Sequence, residues 1–219
     1  MSNSDSFIDE VTEEVRRDRL FALFRRWGWL GILLIVLIVG GAAAWEWRRS
    51  AQETEARAFG DAVMAAMQAE TPAARAAALA ALPEGSPERD AVRGLLSGAA
   101  AAQAGDRAAA LATYDRVAAQ GDIPATLSQL ALLKRVLLAN GDEMSAADRG
   151  AALQRLVAPG APYRLLAQER QALDMVAAGD TDGAVGALRA LLEEDGVTAG
   201  LRRRVTQLMV TLGADPAAS

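Results

Sequence analysis

Ala101–Val117 reads AAQAGDRAAALATYDRV, and Met175–Leu191 reads MVAAGDTDGAVGALRAL; the two align at an offset of 74 residues. Gly105 falls on Gly179, Asp106 on Asp180 and Ala110 on Ala184, while Tyr114 meets Leu188 and Val117 meets Leu191. Each stretch reads as helix, glycine turn, helix. The glycine supplies a left-handed C-cap, and the aspartate beside it caps the helix that follows. Alanine at 110 and 184 lets the two helices of a pair approach closely. LLANGD places Gly141-Asp142 in the same role, 36 residues after Gly105 and 38 before Gly179. The β-branched alternation of strands is missing, so the expected class is all-α.

Outward from this core the same grammar continues. A period near 34–40 of helix, Gly turn, helix is the mark of tetratricopeptide repeats. Gly98, Ala110 and Tyr114 sit where that pattern has its Gly, Ala and aromatic, and Pro124 lies near its terminal Pro. The Trp and first Tyr positions are absent, and an extended turn is expected around Met144 to Asp148, so the repeats are degenerate. Each pair buries its apolar face only by stacking on the next, which predicts an α-solenoid over residues 48–219. Upstream, Phe59, Val63 and Met67 form an i, i+4, i+8 stripe on a helix expected from about Ser50 to Ala69. Thr71-Pro72 is a cap with proline at the first helical position, opening a helix to about Leu82. The turn PEGSP, Pro83 to Pro87, closes that pair.

Further upstream, Trp27 to Trp45 reads WGWLGILLIVLIVGGAAAW without a charge. Residues 27–47 make 21, or roughly 31 Å of helix, matching a hydrocarbon core of about 30 Å. All four tryptophans mark the ends, Trp27 and Trp29 at one, Trp45 and Trp47 at the other, as an aromatic belt requires. Arg25, Arg26, Arg48 and Arg49 complete the expected interface anchors. Five arginines precede the span against three within twenty residues after it, which favours residues 1–26 in the cytoplasm and the C-terminal part outside. A cleaved signal peptide is the competing reading, since Ala42-Ala43-Ala44 resembles a cleavage site, but the apolar run is long and the leader acidic. Gly40 and Ala44 have small-xxx-small spacing, open to a neighbouring helix. The leader reads as a short amphipathic helix, with Ser6 and Asp9 as a capping box and Phe7, Val11 and Val15 on one face.

Composition narrows the chemistry. The chain has 219 residues, 50 of them alanine, with no cysteine and no histidine. That removes thiol nucleophiles, disulfides, zinc–thiolate sites and the commonest general base. Arginine outnumbers lysine 22 to 1, and the net charge is −5, so there is no basic field for nucleic acid. No phosphate-binding glycine motif is present. Ser128 and Lys134 are six apart and do not share a helix face as a dyad would. Glu193-Glu194-Asp195 and Arg202-Arg203-Arg204 read as solvated helix surface. No catalytic residue, metal ligand, cofactor or small-molecule substrate is expected.

With both halves in hand, the chain resembles the YfgM-like family of membrane-anchored tetratricopeptide-like proteins of Gram-negative bacteria. The resemblance rests on FIDEVTEEVRRDRLFALFRRWGW running into the single span, on LALLKRVLLANGD (Leu130–Asp142), and on the later helix ending in AAGD. It implies a bitopic inner-membrane protein with a periplasmic repeat domain, ancillary to the Sec translocon and working with a periplasmic chaperone of the peptidyl-prolyl isomerase class. The groove positions of the repeat pattern carry over to Val92 and Leu95, to Ala131 and Arg135, and to Glu169 and Leu173. The other expectation is a structural accessory subunit of a respiratory or cell-envelope complex, with the repeats as a spacer.

Overall fold

The computed structural model describes the backbone of residues 4–215 and the side chains of residues 29–215. Among the described residues there are nine helices and no strand. They are α1 (Ser4–Met67), α2 (Pro72–Ala80), α3 (Pro87–Gln103), α4 (Arg107–Ala118), α5 (Ala125–Leu138), α6 (Ala146–Leu156), α7 (Arg164–Ala177), α8 (Thr181–Leu192) and α9 (Ala199–Thr211). The chain divides into two compact units, Met1–Asp61 and Ala62–Ser219.

The first unit is helix alone. α1 passes through residues 26–27 and 47–48 without a break, so the expected boundaries between leader, span and following helix are not marked by any turn. Arg49 Nε and Arg57 Nη2 donate to the two carboxylate oxygens of Glu53, at 3.1 and 3.2 Å, and such i, i+4 pairs favour helix beyond the apolar stretch. The helix stops before Thr71-Pro72, where proline denies the next turn its N–H.

The second unit is built twice. Thr71 and Ser145, 74 apart, each cap a helix through their side-chain oxygens, accepting from Ala74 N (3.1 Å) and Asp148 N (3.0 Å). Asp106 and Asp180 do the same for α4 and α8, at 3.0 and 2.9 Å. The turns before them share one geometry. Gly105 and Gly179 both have φ +84°, and Asp106 N and Asp180 N both donate to the carbonyl five residues back at 2.9 Å. This is the Schellman pattern expected from the aligned sequences. The aligned apolar positions are buried in both copies: Ala110 and Ala184, Tyr114 and Leu188, Val117 and Leu191. So are Leu79 and Leu153; caps, turns and buried positions recur at the 74-residue spacing, while the packing differs, α2 lying close along α3 and α6 touching α7 only lightly.

Gly141-Asp142 does not share that role. Gly141 lacks the positive φ, α5 ends instead in an extended Ala139, and α6 is capped by Ser145. The carbonyls a glycine turn would satisfy are taken by arginine forks. Arg149 donates to Val136 O at 2.7 Å and to Ala139 O, and Arg107 donates to Leu138 O. The expected extended turn is present but lies earlier than Met144 to Asp148: it spans 139–145, α6 begins at Ala146, and Met144 is buried in the core with Leu153 and Leu156. Upstream, the expected stripe is shifted by one place. Val63 packs with the buried Ala66, Leu79 and Ala100, while Met67 is exposed, because alanine at 66 lets α1 and α2 come closer.

Packing closeness is tightest in α3–α4. A Cβ added at Gly98 would lie 2.8 Å from Tyr114 Cε1, so only glycine fits against that ring. The equivalent pair in the second copy is Ala172 and Leu188, both fully buried in one cluster. One side has grown by a methyl as the other has shrunk from ring to branch. We expect Gly98→Ala to lose a net ~1–2 kcal/mol, overpacking outweighing the helix-propensity gain. The double change Gly98→Ala with Tyr114→Leu, which copies the second unit, should recover most of the lost melting temperature. Thermal denaturation of the three proteins checks this.

Candidate functional site

The six groove positions carried over from the repeat pattern are placed very differently. Leu95 and Ala131 come together, but inside one apolar cluster, 7% and 0% exposed. They hold helix to helix and do not line an open face. The reason is the alanine content: the helices approach so closely that α3 touches α5 as well as α4. Arg135 forms an ion pair with Asp115 of α4, and Glu169 takes the Arg204 fork at 2.9 and 2.7 Å. Val92 is half-buried, and Leu173 is 38% exposed.

What the sequence reading missed is a pair of clefts in equivalent places. One, of about 320 Å³, is floored by Ala73, Ala76, Ala77 and Ala80 of α2 and by Ser97, Ala101 and Ala104 of α3, with Asp106 and Thr113 at its α4 wall. The other, of about 520 Å³, lies between α6 (Ala146, Arg149, Gly150, Leu153, Gln154) and α7 (Gln171, Asp174, Met175, Ala178). At the 74-residue offset Ala76 and Ala80 fall on Gly150 and Gln154, and Ser97, Ala101 and Ala104 fall on Gln171, Met175 and Ala178. In the first cleft the signal was present in the sequence as alanine at i, i+3, i+4, i+7 of α2, while the matching places in the second carry Gln154, Gln171 and Met175.

Ion pairs, not acid–base groups, dominate the polar surface. Among the described residues no three carboxylates converge on a metal position. Ser128 Oγ donates to Ala125 O, and Lys134 Nζ sits 5.9 Å from the Tyr114 ring centre, so the two do not meet. Burial raises the Tyr114 phenol above its usual range. The acidic and basic runs are more engaged than expected. Arg164, the first residue of α7, donates twice to Glu194, and Gln168 Nε2 adds a bond at 3.3 Å. That guanidinium holds the Glu194 carboxyl below its ordinary value. Glu143 is lowered first by the backbone N–H of Asn140 and then by Arg107.

At the apolar helix, Trp29, Trp45 and Trp47 are 61%, 63% and 77% exposed, and the Arg49 guanidinium lies 5.7 Å from the Trp45 ring centre. Arg48 is exposed as well. The side chains of Arg25, Arg26 and Trp27, and those of the expected leader helix face, lie outside the described residues. Gly40 has nothing within 4 Å, leaving its face open.

No protein-family model matches the chain, and neither does any curated protein or solved structure.

Because Glu194 and Glu143 have lowered pKa values in the folded protein, each contributes stability that is complete above the ordinary carboxylate range and disappears as the pH falls through the folded value. Glu194→Gln should therefore lower the melting temperature at pH 7, by a margin that shrinks as the pH falls through the lowered Glu194 value and the wild-type carboxylate takes up its proton. Melting curves across pH 3–7 check the sign.

Proposed function

We propose that the chain is a single-pass inner-membrane protein whose periplasmic domain, an α-solenoid of degenerate tetratricopeptide-like pairs, binds partner or client polypeptides as an ancillary component of the translocon or its chaperone network. The observation that carries the reading is α1. From Leu30 to Val39 its leucine, isoleucine and valine side chains are 42–66% exposed on every side, and the helix is long and apolar enough to cross a membrane. Such a surface is stable in lipid and not in water. The arginine excess before the span favours a cytoplasmic N-terminus. No enzyme activity is assigned, since the polar groups of the domain serve as caps and ion pairs.

A second reading gains from the placement of the groove residues. With Leu95 and Ala131 buried and Arg135 and Glu169 paired, the repeats fit a spacer, and α1 becomes the binding element of an accessory subunit. Gentle detergent extraction of the tagged protein, with mass spectrometry of what co-purifies, separates the two. The first reading expects translocon subunits and a periplasmic isomerase-class chaperone, retained when residues 27–47 are replaced by an unrelated apolar helix. Leu173→Asp should then reduce their recovery several-fold without shifting the melting temperature. Stoichiometric recovery of another membrane complex, lost on swapping the span, would replace it with the second.

A further inference from the structure

The duplicated unit supplies an internal control for its own last helix. α5 and α9 hold the same position in the 74-residue alignment; their inward faces match at two places and differ at a third, where the fully buried Met209 replaces the ion-paired Arg135. Leu127 packs against the first cluster as the buried Leu201 does in the second, and Ala131 and Val205 are both 0% exposed. The outward faces differ. Val136 is fully buried among the side chains of α6, whereas Val210, the same residue at the same place, is 60% exposed. Leu132 and Leu133, both buried, are replaced by Thr206 and Gln207.

The tie to the first helix of the pair has changed as well. In the first unit Leu95 and Leu130 belong to one apolar cluster. In the second the same two positions are Glu169 and Arg204, an ion pair in which the arginine side chain is 55% exposed. An exposed pair of this kind contributes little and is weakened by salt. α9 has therefore lost apolar cover on one side and exchanged an apolar contact for a screened one on another. Beneath it lie Ala172, Leu188 and Leu191, a continuous apolar seat on α7 and α8.

We infer that α9 is a displaceable latch, opening as a unit ahead of its counterpart α5 and uncovering the apolar seat of α7 and α8, with Glu169–Arg204 as its catch. Local opening of this kind draws on the least-covered element of a fold. The inference stands on the domain alone and is independent of the membrane reading.

Hydrogen exchange on the full chain in detergent micelles, read by mass spectrometry, tests it. Amides of α9 should exchange at one common rate, roughly tenfold or more faster than those of α5. Glu169→Gln and Arg204→Gln should each speed α9 several-fold further and leave α5 unchanged. The double variant should do no more than either single one, and added salt should mimic them in the wild type. A gradient of rates fraying from Thr211 inward, equal protection of α5 and α9, or acceleration of both helices alike by Glu169→Gln would overturn the latch.

Discussion

An alanine-rich helix offers its neighbour little side-chain volume, so its stability depends on how closely the two backbones approach. That constraint governs the helical domain. Where approach is close, as at Gly98 against the Tyr114 ring, a single methyl is excluded, and the second unit meets the same requirement with Ala172 and Leu188. Close approach also explains why α3 touches α5 as well as α4. The i, i+4 faces that would line a groove in a more open stack, Leu95 and Ala131, become core instead.

Short helices bring many ends, and every end leaves carbonyls without partners. The chain satisfies them by two devices. Glycine turns at Gly105 and Gly179 fold the backbone back on itself. Elsewhere arginine reaches across: Arg75 to Ala69 O, Arg93 to Leu82 O, Arg107 and Arg149 to the end of α5. A planar guanidinium donates two parallel bonds and remains charged at a helix C-terminus, where the dipole favours a cation. Lysine cannot replace that geometry, which gives the excess of arginine a structural role.

The helical class, the Asp106 and Asp180 caps, the Thr71-Pro72 start and the 74-residue echo were all legible, because each depends on a local pattern a few residues long. The failures were of another kind. Gly141-Asp142 looked like a third copy of the turn, yet its carbonyls are claimed by Arg107 and Arg149, and Arg107 lies more than thirty residues away in sequence from Leu138. Glu194 looked solvated until Arg164, 30 residues earlier, proved to be its partner. The groove positions failed for a similar reason, since a repeat pattern specifies a helix face but not how near the next helix stands. The first cleft was encoded as small residues at helical spacing, a signal hard to separate from the general abundance of alanine, and the second carries larger side chains at the matching places.

The two ends of the duplicated domain have a consequence for self-association. A unit that stacks on its own copy through α5 and α6 could in principle stack on another molecule in the same way, head to tail, and such a contact does not close. Both surfaces that would meet are blocked. Leu79, the counterpart of the α6 residue Leu153, is already covered by Val63 and Ala66 of α1. On the opposite side, Thr206 and Gln207 stand where α5 presents leucines. Thr206 and Gln207 thus deny α9 the leucine face by which α5 meets α6.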